Sequence, residues 1–367
     1  MPGAGINLDI TKNNANAGKM NDGQARPMAW LEQVALAYRL RWKRRRLLFR
    51  ALRKRRQLIE VVNRMAQVAP DDILLFATVR NEATRLPYFL DHYRKLGVRQ
   101  FIIVDNASTD GTQALLAAQP DVSLWSTSHS YRLSRFGMDW LTYLQVKYAH
   151  GHWCLTVDAD EILIYPHYDT RPLPALVGWL DAHGRMSFGA LMLDMYPKGK
   201  LSSFPYEAGD DPFANLCWFD AGNYMITKKP DLKNLWIQGG VRARYFFEDR
   251  PRYAPTMGKV PLVKWHWRFA YASSAHTLLP RRLNHVYDEQ GGEMTSGALL
   301  HTKFLNTVVQ KSAEEKTRQE HFANSDLYDA YYEALMEDPD LWCPSSTRYH
   351  SWRQLEALGL MSKGNWI

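Results

Sequence analysis

The chain has 367 residues, 46% of them hydrophobic and 13% aromatic, enough to bury a large core in one large domain or two smaller ones. Its net charge of +8 is concentrated: residues 39–56, RLRWKRRRLLFRALRKRR, hold eleven Lys and Arg and no acid, so the rest of the chain is net −3. Three scattered cysteines, Cys154, Cys217 and Cys343, exclude a disulfide framework and a zinc-finger spacing and point to a reducing compartment.

The first residues, MPGAGINLDITKNNANAGK, lack the basic-then-apolar pattern of a signal peptide. No apolar stretch is long enough to cross a bilayer. A cytoplasmic protein is expected, either free or peripheral on the cytoplasmic membrane face. Residues 1–27 are rich in Asn, Gly, Ala and Lys without a period and are expected to be a disordered tail. Residues 28–68 form a basic amphipathic helical arm, with one helix expected over 28–66. Tyr38, Trp42, Phe49, Leu52, Ile59 and Val62 recur at three-, four- and seven-residue steps and make an apolar stripe. Arg45 and Arg56 interrupt it, which argues against a clean coiled-coil seam.

From Asp72 the pattern changes. Ile73–Val79 reads as a short apolar strand. A helix follows over 84–96, with Thr84 as cap and Gly97 as stop. Phe101–Val104 is a second strand, a helix starts near Gln113, and Val122–Trp125 is a third strand. A helix over Met138–Tyr148 leads to the strand Trp153–Val157. Strands that are continuously apolar, alternating with helices, argue for an α/β domain with a mostly parallel sheet covered on both faces. That domain is expected over 70–310, and a helical C-terminal region over 311–367.

The strand at Trp153 ends in Asp158-Ala159-Asp160-Glu161, and the apolar run then resumes at Ile162. Open α/β sheets bind ligands at the carboxyl ends of their strands. Two carboxylates in an Asp-x-Asp step can share a hard divalent cation, Mg²⁺ or Mn²⁺, which neutralises phosphate oxygens. An acidic loop that caps backbone groups or faces water fits the same three residues. A dehalogenase-type phosphatase also places Asp-x-Asp after a strand, but with Thr or Val where this chain has Ile162. The loop Asp105–Thr112 has Asp110 where an EF-hand needs glycine, and the first turn, Val79-Arg80-Asn81-Glu82, lacks the glycines of a dinucleotide site.

Taken together, Arg80-Asn81-Glu82, Tyr93-x-x-Leu96-Gly97, Val104-Asp105-Asn106-x-Ser108-x-Asp110-Gly111-Thr112 and Trp153-x-Leu155-x-Val157-Asp158-x-Asp160-Glu161 occur in an order and with gaps that resemble family-2-like glycosyltransferases of the GT-A fold. The resemblance covers residues 72–165. It recurs in patches at Gly239-Gly240-Val241-Arg242-x-Arg244, Lys259-Val260-Pro261-Leu262 and Leu299-Leu300-His301-x-Lys303-Phe304. Residues 1–66 have no counterpart in the family core.

This resemblance implies a nucleotide-sugar donor and a glycan, lipid-linked or other hydroxyl acceptor. Asn81 and Glu82 would border the nucleotide. Asp105 and Asn106 would meet the base, where many members have Asp-Asp. Arg135 would lie near the base or diphosphate, and Lys303 near a phosphate. Asp158, Asp160 and His301 would form the Mn²⁺ or Mg²⁺ site, with Asp160 the better direct ligand. His301 also reads as a core histidine after Ala298-Leu299-Leu300. Arg242 and Arg244, alternating on an expected strand, share one face as a diphosphate clamp or a solvated face. Family-2 members are typically inverting, which calls for a carboxylate base. Glu248 and Asp249 are the first candidates and Asp194 the next; Asp210 and Asp211 lie in an expected loop. Trp218, Trp236, Trp265, Trp267, Trp342 and Trp352 could stack on a sugar or simply pack. Other enzyme classes with the same acids are a phosphatase or a nucleotidyltransferase, and a non-catalytic glycan-binding module is the third reading.

The basic segment 39–56 fits an RNA-binding arm, an amphipathic helix on an anionic membrane, or a helix packing its stripe on the domain. With a glycosyltransferase beside it, nucleic acid is the disfavoured partner.

Overall fold

Leu74 and Phe76 point to one face of the second strand and Leu75, Ala77 and Val79 to the other, and all five are buried. An apolar strand without alternation needs a cover on each side, and the computed structural model provides both. It describes residues 30–287, 294–309, 311–312 and 325–366, and of 325–329 the backbone alone. The expected tail over 1–27 and parts of the C-terminal region lie outside the described residues.

The strands in chain order are β1 (Ile59–Val62), β2 (Leu74–Val79), β3 (Gln100–Asp105), β4 (Val122–Ser126), β5 (Trp153–Thr156), β6 (Glu161–Ile164), β7 (Ser187–Asp194), β8 (Trp218–Phe219), β9 (Met225–Lys229), β10 (Asn234–Gln238), β11 (Gly258–Lys264), β12 (Ala270–Ser273), β13 (Thr277–Leu279), β14 (Gly297–His301) and β15 (Thr347–Arg348). Nine of them form one sheet in the order β1-β4-β3-β2-β5-β11-β7-β14-β6. Only β1, β11 and β6 run against the rest. The expected α/β class, with a mostly parallel sheet flanked by helices and a basic helix ahead of it, is what the structure has.

Helices α1 (Trp30–Lys54), α2 (Leu86–Leu96), α3 (Thr112–Ala117), α4 (Met138–Tyr148) and α5 (Leu173–Ala182) cover the sheet or its covering layer. Phe89 and Tyr93 of α2, Leu116 of α3 and Leu176 of α5 pack on the face of Leu75 and Ile103. Trp140 and Leu144 of α4 pack on the face of Phe76 and Ile102. Further helices run over Ser325–Met336 and Trp352–Ala357. Trp352 and Trp366 tie the C-terminal chain back to the loop after β6, through Asp169 Oδ1 and the Pro166 carbonyl.

Two expectations change. The helix expected over 28–66 stops at Lys54, and Ile59-Glu60-Val61-Val62 joins the sheet antiparallel to β4. Three β-branched residues in four favour that pairing. Helix α2 starts at Leu86 rather than Thr84, behind Arg85, with Pro87 in its first turn. Gly97 does end it, at φ 100°.

An added Cβ at Gly97 would stand 2.8 Å from Pro174 Cδ, against a ring that cannot swing aside. Together with the left-handed backbone, this predicts that Gly97→Ala costs about 1–3 kcal/mol. A urea titration followed by circular dichroism should show the midpoint fall with an unchanged slope.

Candidate functional site

The loops after β2, β3 and β5 leave the sheet at the same end, and the first two stitch to one another. The Asn81 N–H donates to Ser108 Oγ, and its side chain accepts from the Thr109 N–H. Glu82 N–H donates to Thr112 Oγ1, and Ala83 N–H to Asp110. Asn81 itself is held at φ 52°. The residues of Asp105–Thr112 therefore act largely as a brace for the first loop. Asp105 is buried and accepts from the Ser108 N–H. Its Oδ1 has no partner among the described residues. The amide nitrogen of Asn106 donates to the Thr127 and His129 carbonyls.

Strand register builds the centre of the site. His301 is the last residue of β14, paired with Asp194 of β7 on one side and Glu161 of β6 on the other. Its Nδ1 lies 2.6 Å from Asp194 Oδ1 and its Nε2 3.1 Å from Asp160 Oδ2. Burial alone would lower the imidazole, but Asp160 and Asp194 hold it above its ordinary value. Burial likewise opposes ionisation of Asp160, yet His301, Arg85 and Lys303 keep it well below the usual carboxylate range. Asp194 is buried too, and Arg242, with Nε 2.7 Å from Oδ2, and His301 bring it to about 2.

A second cluster lies beside the first. Lys259, a buried lysine in β11, reaches Asp158 Oδ2 at 2.9 Å and pairs with Glu161. Loss of water would lower this ammonium; Asp158 and Glu161 hold it above its usual value. Burial pushes Glu161 the other way from an ordinary carboxylate, up to about 7.

These groups open into one cleft of about 950 Å³. Asn81, Glu82, Asn106, Arg135, Asp158, Asp160, His301 and Lys303 all line it. Asp105 and Asp194 lie behind its wall, and Glu248 and Asp249 are exposed and do not line it. Asp210 and Asp211 lie outside as well; Asp211 caps the turn at Phe213. Of the tryptophans considered for stacking, Trp236 alone lines the cleft, while Trp265 is core. The paired arginines do not share a strand face. Gly239 and Gly240, at φ 153° and 64°, turn the chain after β10 into a π-helical turn over Arg242–Phe246. Arg242 is spent on Asp194, and Arg244 binds Asp220 at 2.8 and 3.1 Å.

Several cleft residues are absent from the sequence reading. Arg85 pairs with Glu82 at 2.9 Å and donates to the Thr302 and Lys303 carbonyls. Lys311 reaches the other Glu82 oxygen at 2.7 Å. His276 donates from Nδ1 to the Gly258 carbonyl at 2.7 Å, because a carbonyl can only accept. Burial, with Lys259 nearby, pushes this imidazole down to about 3, so it is neutral.

Asp160, Glu161 and His301 each offer a donor atom within 4.8 Å of one another. Glu161 already serves Lys259 and the Asp158 N–H. Asp160 and His301 fit a divalent cation: the Asp194 carboxylate behind Nδ1 orients the ring and leaves Nε2 toward Asp160, as in carboxylate–histidine–metal sites. Asp158 keeps a half-exposed side chain at the cleft.

No family model and no curated protein matches the chain. Among solved structures, it is similar to a 4-diphosphocytidyl-2C-methyl-D-erythritol synthase (14% identity, TM-score 0.23, covering 38% of this chain and 66% of that one). It is also similar to a putative glucose-1-phosphate thymidylyltransferase of Bacillus anthracis solved with sucrose (8%, TM-score 0.29, 72% and 83%). A third is a mycobacterial protein (21%, TM-score 0.22, 38% and 46%). The chain thus spans just under two thirds of the first and less than half of the third. At these TM-scores none of the three carries an argument about what this chain does.

Asp194 ionises more readily in the fold than free aspartate, whose ordinary value is 3.8. A depressed carboxylate contributes stability above its unfolded pKa and loses it as pH falls through the folded one. About 2 kcal/mol should therefore disappear between about pH 4 and pH 2. Urea midpoints measured across that range should fall steeply for the parent chain and less steeply for Asp194→Asn.

Proposed function

We propose that the chain is a metal-dependent glycosyltransferase of the GT-A type. In this reading it moves a sugar from a nucleotide-diphosphate donor to a hydroxyl of a glycan or lipid-linked acceptor, with inversion. One observation carries the reading. Eight residues picked from separate motifs between Asn81 and Lys303 line a single cleft at the carboxyl end of the sheet, where open α/β folds take their ligands.

Asn81, Glu82 and Asn106 border the nucleotide. Arg135 and Lys303 supply positive charge near the diphosphate; burial lowers the Lys303 ammonium, so an anionic partner strengthens its charged form. Asp160 and His301 would hold Mn²⁺ or Mg²⁺, with Asp158 at its side, and the cation supplies charge neutralisation for the leaving diphosphate. The stacking surface for a sugar is Trp236. Glu248 and Asp249 are exposed and do not line the cleft, and Asp194 is engaged by Arg242 and His301. The proton-accepting role is therefore given to His276, whose neutral Nε2 is the open ring nitrogen on the cleft wall. Negative charge from a donor beside Lys259 would raise its basicity.

Thermal melts of the full chain with UDP, GDP or CDP, each with and without Mn²⁺, test the donor site. One nucleotide should raise the midpoint only with metal, and the gain should vanish in Asp160→Asn. Nucleoside diphosphate released from a nucleotide-sugar then reports transfer or hydrolysis. Pyrophosphate formed from a nucleoside triphosphate and a sugar 1-phosphate would replace this reading with nucleotidyl transfer. No stabilisation by any nucleotide would sink both.

His276→Gln should lower turnover by about 10²–10⁴-fold while leaving the nucleotide-induced melting shift in place. Unchanged turnover would return the search for the base to Glu248, Asp249 and Asp194.

A further inference from the structure

The apolar stripe seen in the sequence is on the outside. At about 100° per residue, the buried side chains Leu36, Leu47 and Ala51 of α1 fall within an arc of roughly 60°. Trp30, Val34, Tyr38, Trp42, Phe49 and Leu52 fall within an arc of about 120° on the opposite side. All six are exposed, Tyr38 and Phe49 by 61% and Trp42 by 53%. The helix packs on α4 and on the β12–β13 hairpin through its other face, so the stripe is not the surface that joins arm to domain.

Arg44 edges the stripe on one side and Arg46 and Arg53 on the other, while Arg41 and Arg45 project from within it. The positive surface continues past the helix. Arg44 is lowered by burial and by repulsion from Arg41, Arg268, Arg45 and Arg282, so two cations from beyond residue 260 crowd the same place. Trp267, also exposed, lies beneath the Arg268 guanidinium at 4.5 Å.

We propose that α1 lies in the plane of an anionic bilayer surface, its aromatic stripe at the acyl boundary and its arginines, with Arg268 and Arg282, on lipid phosphates. An RNA would be served by the arginines, but Val34 and Leu52 offer no ring to stack on a base. Aliphatic and aromatic side chains in one band, with arginines beside it and Arg41 and Arg45 long enough to reach from within it to the headgroups, match the interfacial helix instead. On the opposite, domain-facing side of α1, Arg50 binds Asp139 and the Leu133 carbonyl and so fixes the helix on the domain with the stripe outward. The docking does not depend on the glycosyl-transfer reading and is tested without activity.

Flotation of the full chain with vesicles of phosphatidylcholine alone, or of equal parts phosphatidylcholine and phosphatidylglycerol, tests this. The chain should float with the anionic vesicles alone and stay bound in part at high salt. Tyr38→Ser/Trp42→Ser/Phe49→Ser, with an unchanged melting midpoint, should lower the bound fraction by about tenfold or more. Arg41→Gln/Arg45→Gln should weaken binding and reduce its lipid-charge dependence. Equal flotation of the triple serine variant, complete release by salt, or retention on single-stranded RNA without flotation would overturn the proposal.

Discussion

His301 stands between Asp194 and Asp160 with both ring nitrogens engaged, and the backbone leaves it little choice. Strand β14 is parallel to β7 and antiparallel to β6, and the last residue of β14 falls level with Asp194 and Glu161. A shift of one residue in either pairing would turn the imidazole to the opposite face of the sheet. The Thr302 N–H then donates to the Asp160 carbonyl at 2.7 Å, which fixes the acidic turn against the strand end. The orientation of the acids, the tautomer of the ring and the position of Arg242 behind Asp194 all follow from that register.

The neighbouring cluster makes a different use of burial. Lys259, Asp158 and Glu161 bring three ionisable groups to the inner wall of the cleft. Such a cluster adds little net stability, because removing its charges from water offsets their attraction. It does fix the direction of the electric field before any ligand arrives, which is the form of preorganisation that stabilises developing charge. Asp158 is thereby half committed to a lysine, whereas Asp160 faces a titratable imidazole. Two carboxylates one residue apart have become chemically unlike.

The parts of this arrangement legible in the sequence are those set by local patterns. Leu74–Val79 and Gln100–Asp105 lack polar alternation, so a double-covered sheet was readable from them, and α4 begins and ends where its apolar pattern does. The acids at 158 and 160 and the histidine at 301 were readable through a resemblance of motifs. Lys259 was visible within a patch of the resemblance, Lys259-Val260-Pro261-Leu262, but without a role; its partner Asp158 is 101 positions away, and no short-range pattern encodes that meeting. The end of α1 was hidden because Arg55–Leu58 contain neither glycine nor proline, although Ile59-Glu60-Val61-Val62 carried strand chemistry. The face taken by Arg242 and Arg244 depended on two glycines turning the chain after β10.

The pairing of β1 with β4 also alters what the arm is. Ile59–Val62 closes the side of the sheet that would otherwise end at Val122–Ser126, and Arg64 reinforces it through the Val122 and Ala117 carbonyls. Sheet edges left open recruit strands from other molecules. A chain shortened to begin after the arm would expose β4, Val122-Ser123-Leu124-Trp125-Ser126, as such a template. The strand that follows the basic helix is thus a guard against self-association for the sheet that holds the cleft, and its loss would be felt first as insolubility.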